Sequence, residues 1–189
     1  LDELGENGIA VAEISSFQLE TLTSLRPHIA VVLNITEDHL NRHYTMENYV
    51  YLKSRILKNC AESEFAVLNA DDEIVRSFAE KTHAKTVWFS LSRKTEGAYI
   101  EDEAIYWKEE RIISVSDLPI EGRHNEADVL AAVCACKLMG VESAVIAPAL
   151  RSFRGIPHRL QKLGEADGVT FIDDSKATNV DAAIRAVES

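Results

Sequence analysis

An α/β fold, with a largely parallel sheet flanked by helices, is predicted by three observations. Strand and helix patterns alternate along the 189-residue chain. Residues 9–14 and 29–35 are nearly unbroken apolar runs rich in Val and Ile, the composition of strands buried on both faces. Residues 169–172 form a further apolar run, which enters Asp173-Asp174-Ser175-Lys176-Ala177-Thr178-Asn179 and then a helical pattern. In an open α/β sheet, strand carboxyl ends and helix N-termini converge on one crevice, so such a junction is where ligands bind.

The other elements follow in order. Residues 65–68 and 86–89 are further strand candidates, and 45–60, 72–81, 125–139 and 142–150 read as helices. Residues 98–100 and 104–107, joined by Glu101-Asp102-Glu103, predict a β-hairpin, with 111–115 as a third strand. That patch reads as a small, peripheral antiparallel addition. Periodicity breaks over 151–159, which contains Gly155 and Pro157, and a domain boundary is expected there. The expected division is 1–155 and 156–189, with a helix over 182–189 closing the chain. The chain has no initiator Met, starts just ahead of a strand pattern and ends within a helical one, so it reads as an internal fragment.

Composition excludes several classes. Apolar residues make up 46% of the chain and charged residues 27%, enough for a sizeable core under an ordinary polar surface. A net charge of −11 argues against a nucleic-acid backbone binder. No apolar run approaches the roughly 18–20 residues of a membrane span, and no segment reads as a signal peptide. Cys134 and Cys136 fall two apart in a helical pattern, so they point to different faces and make no pairwise metal site. With Cys60 they read as small buried hydrophobes in a reducing, cytosolic compartment.

Polar residues gather where strands end. Glu13 interrupts the first apolar run, and a carboxylate buried there needs a partner, most simply a cation. The second run ends in Asn34-Ile35-Thr36-Glu37-Asp38-His39, and the 65–68 run in Asn69-Ala70-Asp71-Asp72. In a parallel sheet these groups share one edge. Asp71 and Asp72 read as helix-capping acids. His39 suits a loop hydrogen bond as well as a ligand, and Glu37 and Asp38 suit a solvated turn. Lys53 lies inside a stripe of Met46, Tyr49, Val50, Ile56, Leu57 and Cys60. It is either a snorkelling lysine or a buried amine of depressed pKa. A neutral amine takes up carbon dioxide as a carbamate, whose oxygens suit a hard cation such as magnesium. Gly122-Arg123-His124-Asn125 opens a helix, with Arg123 or Asn125 near its cap or on a nucleotide. Arg159, in Pro157-His158-Arg159, either bridges domains or clamps phosphates.

Four segments together resemble the Mur ligases of peptidoglycan synthesis over the whole chain. They are Glu13-Ile14-Ser15-Ser16-Phe17-Gln18-Leu19-Glu20, Asn34 to His39, Gly122 to Asn125 with Pro157-His158-Arg159, and Asp173 to Asn179. Asp174-Ser175-Lys176-Ala177-Thr178-Asn179 is similar to the D-glutamate-adding branch. The resemblance implies a partial P-loop-type ATP-binding central domain over 1–155 and the start of a Rossmann-like C-terminal ligase domain over 156–189. It implies ATP and Mg²⁺ as cofactors. D-Glutamate would be joined to UDP-N-acetylmuramoyl-L-alanine through an acyl phosphate, in a cytoplasmic enzyme that is monomeric at full length and engages neither nucleic acid nor membrane. It implies Glu13, His39 and Lys53, the last as a carbamate, as metal-binding and catalytic residues. Asn125, Arg159 and Asp174 would contact ATP, and Ser15, Lys176 and Thr178 the substrates. Asp128 stands where the family often has a second Asn. The glycine-rich phosphate loop with its lysine would precede Leu1, and the N-terminal UDP-binding domain would also lie outside the chain. The alternatives are another Mur ligase or a folylpolyglutamate synthase, or a non-catalytic nucleotide-binding module.

Overall fold

In the computed structural model, which describes residues 4–5, 8–120, 122–178 and 180–188, three strands lie side by side and parallel. They are β1 (Ile29–Val32), β2 (Phe65–Asn69) and β3 (Lys85–Ser90). Their register aligns Val32 with Leu68 and Leu68 with Trp88, so all three carboxyl ends meet at one edge. β4 (Ala98–Glu101) continues parallel to β3, and β5 (Ala104–Trp107) and β6 (Glu110–Ser114) follow antiparallel. The expected antiparallel addition is therefore present, as an extension of the main sheet. Its hairpin turns on Asp102 and Glu103, both at positive φ (47° and 54°), the backbone that matches strand twist in a two-residue turn.

Side-chain alternation along β2 builds two cores. Ala66 and Leu68 face Tyr49, Leu57, Val75 and Phe78, while Val67 faces Val129, Leu130, Val133 and Cys134. One core lies under α3 (Met46–Ser54) and α4 (Glu73–Arg76), the other under α5 (Arg123–Leu138) and α6 (Ser143–Ser152). The expected helix over 45–60 is α3 plus a 3₁₀ turn at Arg55–Leu57, and that over 72–81 is α4 plus one at Ser77–Lys81. The cap of α5 is Gly122 rather than Arg123 or Asn125; its φ of 99° is a conformation that favours glycine. Cys60 and Cys134 are buried and Cys136 half-buried, all as free thiols.

The reading of 9–14 as a buried strand is overturned. This segment pairs with no described strand, and Ile9 and Val11 are 63% and 96% exposed. An apolar run becomes a strand only where a neighbour completes its hydrogen-bond ladder. Glu13 is thus exposed and interrupts no strand. It leads into α1 (Ser16–Thr21).

Residues 169–172 do form a strand, β8 (Val169–Asp173), but it pairs antiparallel with β7 (Gln161–Ala166) in a separate two-stranded sheet. The sequence offered little sign of β7, whose residues, Leu163 apart, are polar or small, and all are exposed. α7 (Val180–Glu188) follows, matching the expected C-terminal helix except at Ser189, which, like Asn179, lies outside the described residues.

Asp72 ties the sheet edge to the helices, as its capping role predicted. Its Oδ1 accepts from the Val75 N–H at 2.9 Å and its Oδ2 from the Ile35 N–H at 2.9 Å. Replacing Asp72 with Ala leaves both donors unpaired. We expect a loss of about 1–2 kcal/mol of unfolding free energy, read from the urea midpoint at constant slope. A change within experimental error would show that water replaces the carboxylate at no cost.

Candidate functional site

The carboxyl edge of the parallel strands carries the candidate site. The chain leaves β1 through Asn34 to Asp38 and enters α2 (Leu40–His43) at His39. His39 caps α2 with a left-handed backbone (φ 55°), so the chain reverses sharply and presents Asp38 and His39 together. The Asp38 Oδ1 accepts from the His39 N–H at 2.8 Å, and its Oδ2 lies 3.5 Å from His39 Nε2. The His39 side chain is 45% exposed, and its ring meets Phe17 at 4.9 Å.

Lys53 is partly buried on α3, with its Nζ 5.8 Å from the centre of the Tyr49 ring. Burial holds its amine below the ordinary lysine range, while the carboxylates of Glu13 and Asp38 pull the other way. The direction is that of the second sequence reading of this lysine, while the side chain is only half-buried. Glu13 and Asp38 reach it through space, without an ion pair to Lys53 among the described residues. Asp38 is the residue that sequence reasoning missed. It had read as part of a solvated turn, and its position beside His39 was the available signal.

No three His, Cys, Asp or Glu side chains among the described residues converge as a ready-made metal cage. Asp38 stands beside His39, and Glu13 and Asp38 act on Lys53 through space; magnesium is commonly held by one or two carboxylates plus substrate phosphates. The donor set fits a cation whose shell is completed by substrate oxygens.

The other predicted residues fall elsewhere. Ser15 is the N-cap of α1: its Oγ accepts from the Gln18 N–H at 3.3 Å, and the Gln18 Oε1 accepts from the Ser15 N–H at 2.8 Å. Its hydroxyl thus has a structural task. Asn125 lies in the first turn of α5. Arg159 and His124 are within electrostatic reach of Asp128 on that helix. Asp174 accepts from the Leu160 N–H at 3.1 Å, and the Lys176 N–H donates to the His158 carbonyl at 3.1 Å. Thr178 is exposed. Asp174, Lys176 and Thr178 make no hydrogen bond or ion pair with Glu13, His39 or Lys53 among the described residues. Asp173 shapes the junction: its Oδ2 is 2.7 Å from His158 Nδ1, which, with the Ser175 N–H, holds its carboxyl down to about 2.

A sheet parallel from β1 to β4 and antiparallel from β4 to β6, flanked by helices, defines an α/β domain. The chain belongs to the Mur ligase family: the Mur ligase middle domain matches residues 3–136. It is 44% identical to the UDP-N-acetylmuramoylalanine–D-glutamate ligase of Acidobacterium capsulatum, aligning over 100% of this chain and 42% of that protein. Identity is also 44% to the ligase of that name from Caldanaerobacter subterraneus subsp. tengcongensis, over 99% of this chain and 42% of that one. The chain therefore spans about two-fifths of the curated relatives it matches. Among solved structures, MurF from Acinetobacter baumannii superposes with a TM-score of 0.74 at 21% identity, over 86% of this chain and 37% of that one. The MurF ligase from Thermotoga maritima, in complex with ADP, gives 0.67 at 19% identity over 86% and 39%. At such identities these two likenesses speak for the fold alone.

Two titrations check this geometry. Glu13→Gln and Asp38→Asn each remove a carboxylate that raises the Lys53 amine. Either should move its titration further below the ordinary lysine range, as followed by NMR of the ¹³C-methylated amine; an unchanged or higher value would sink the arrangement. Asp173 contributes stability that is present above the ordinary aspartate range and is lost as pH falls through about 2. Amide exchange at Leu160 and Lys176 should accelerate across that fall, and Asp173→Asn should accelerate it at neutral pH.

Proposed function

We propose that this chain belongs to an ATP-dependent, amide-forming ligase that joins D-glutamate to UDP-N-acetylmuramoyl-L-alanine in bacterial peptidoglycan synthesis. The observation that carries the reading is the pairing of two facts. The relatives named for this reaction are 44% identical over the whole chain. Asp38 and His39 stand together just past β1, and Glu13 and Asp38 act through space on Lys53. In this reading 1–155 handles nucleotide and metal, and 156–189 begins a second, C-terminal domain. The enzyme is cytoplasmic, where its nucleotide substrates are made, and acts as a monomer on small molecules.

The chemistry follows from the site. The substrate carboxylate attacks the γ-phosphoryl group of ATP, giving an acyl phosphate and ADP. The D-glutamate amine then attacks the acyl carbon, phosphate leaves, and the amine loses a proton. Magnesium supplies neutralisation of phosphate and developing acyl-phosphate charge when bound. Glu13, His39 and Lys53 as a carbamate would hold it.

Lys53 in its protonated form already answers the charge of Glu13 and Asp38. Its lowered pKa eases loss of the ammonium proton, and the amine so formed adds to carbon dioxide and sheds a second proton. That conversion exchanges a positive charge for a negative one and opens the spot to a cation. Asn125 and Arg159 are the nucleotide contacts, joined by Asp174. Ser15, Lys176 and Thr178 face the substrates. Closure of the second domain excludes water that would hydrolyse the acyl phosphate.

The full-length protein should release ADP only with UDP-N-acetylmuramoyl-L-alanine and D-glutamate together. Equal rates with other amino acids would point to a sibling ligase. Lys53→Ala should lower kcat by at least about a hundredfold, as expected for removal of a group on the developing charge. Unchanged activity with and without bicarbonate would sink the carbamate role. The chain by itself should neither bind ATP tightly nor turn over.

A further inference from the structure

The strap Pro157-His158-Arg159-Leu160 holds two non-glycine residues in left-handed backbones, His158 (φ 67°) and Leu160 (φ 42°), one on each side of Arg159. An L side chain disfavours that region, so such a residue persists only where its surroundings fix it. The two acids at the end of β8 do so. Asp173 Oδ2 lies 2.7 Å from His158 Nδ1, while Asp173 Oδ1 accepts from the Ser175 N–H at 2.9 Å. Asp174 Oδ1 accepts from the Leu160 N–H at 3.1 Å. The His158 carbonyl accepts from the Lys176 N–H at 3.1 Å, and the His158 N–H donates to Gln161 Oε1 at 3.0 Å. Each neighbour of Arg159 is thus gripped by its own acid.

Arg159 stands between these two fixed points. Its own N–H closes a turn onto the Ile156 carbonyl at 3.1 Å. Its side chain is exposed and lies within electrostatic reach of Asp128 on α5, the helix whose first turn carries Asn125. The two residues assigned to the nucleotide are therefore on the strap and on the helix it approaches. A guanidinium is a rigid, planar fork, and its fit to phosphate oxygens is geometric. That fit demands a fixed backbone beneath it, which the strained and doubly held strap supplies.

We propose that Asp173 and His158 are positioning residues that fix the backbone of Arg159 and thereby its grip on the phosphates of a nucleoside triphosphate. The Asp173 carboxylate holds the His158 ring on one side of Arg159, as Asp174 holds the Leu160 N–H on the other. Without Asp173 the ring is released, the left-handed backbone relaxes, and the guanidinium loses its place. The His158 and Asp173 side chains are 56% and 22% exposed, so their contact adds little to the stability of the fold. Nucleotide affinity falls before stability does. The inference rests on the proposed function, which makes Arg159 a nucleotide contact.

The test uses the full-length protein and a non-hydrolysable ATP analogue, titrated by isothermal calorimetry. Arg159→Ala, Asp173→Ala and His158→Ala should each weaken the analogue by roughly tenfold, the worth of one hydrogen bond to a charged group. The double variant Arg159→Ala/Asp173→Ala should bind no more weakly than Arg159→Ala alone, because both changes remove the same contact. Melting temperature and affinity for UDP-N-acetylmuramoyl-L-alanine should stay near native values in Asp173→Ala. Losses that add in the double variant, or that extend to melting temperature and the UDP-linked substrate, assign Asp173 to the fold alone and overturn the proposal. If Arg159→Ala weakens the analogue and Asp173→Ala does not, the positioning role fails while the Arg159 contact stands. If Arg159→Ala binds the analogue as the native protein does, the contact fails and the inference with it. Should Asp173→Ala not fold, His158→Ala, alone and combined with Arg159→Ala, decides.

Discussion

Parallel register across β1, β2 and β3 is the constraint from which the rest of the structure descends. Parallel strands must be joined by crossovers, so helices are forced onto the sheet faces. The same pairing delivers every strand's exit to one edge. Aligning Val32, Leu68 and Trp88 brings the Asn34 to His39 segment beside Asn69 to Asp72. The Asn69 Nδ2 donates to the Leu33 carbonyl at 2.8 Å, and Asp72 holds Ile35, so the edge is laced by short polar contacts. Asp71 shares in this: burial pushes its carboxyl up, but Ser92, Ser90 and the Leu91 N–H outweigh it and hold it down. Two adjacent acids that invite a catalytic reading are thus occupied in building the edge.

The candidate site couples the Asp38–His39 hydrogen bond to through-space charge at Lys53. Burial disfavours the Lys53 ammonium, and two carboxylates favour it. Such opposed terms leave a group responsive to small changes in its surroundings, which is characteristic of functional positions. The residues that frame it, Phe17, His43 and Tyr49, are aromatic and packed. A soft electrostatic balance is thereby held in a stiff frame.

Legibility in the sequence followed the range of the interactions. The strands 65–68 and 86–89, the hairpin at Asp102-Glu103 and the cap at Asp72 were readable in whole or part, because each depends on residues a few positions apart. Only the capping box of Ser15 with Gln18 had to be found in the structure. Segment 9–14 misled because apolar composition reports a tendency to be buried and not the presence of a partner. β7 was missed for the converse reason: pairing with β8 gives its mostly polar, exposed residues a ladder that their composition does not advertise. Lys53 stood out as a charge in an apolar stripe, but choosing between a snorkelling and a depressed amine required knowing what faced it.

By itself the sequence determined the alternation of strands and helices and the identity of Glu13, His39 and Lys53 as candidates. These rest on periodicity and on motifs carried within single segments. Only the tertiary structure decided that Asp38 joins Glu13 at Lys53, that Ser15 is held as a cap, and that His43 links three helices through Ser16, Phe17 and Tyr49. Burial and through-space charge depend on what the fold sets opposite a residue, and no local pattern records that.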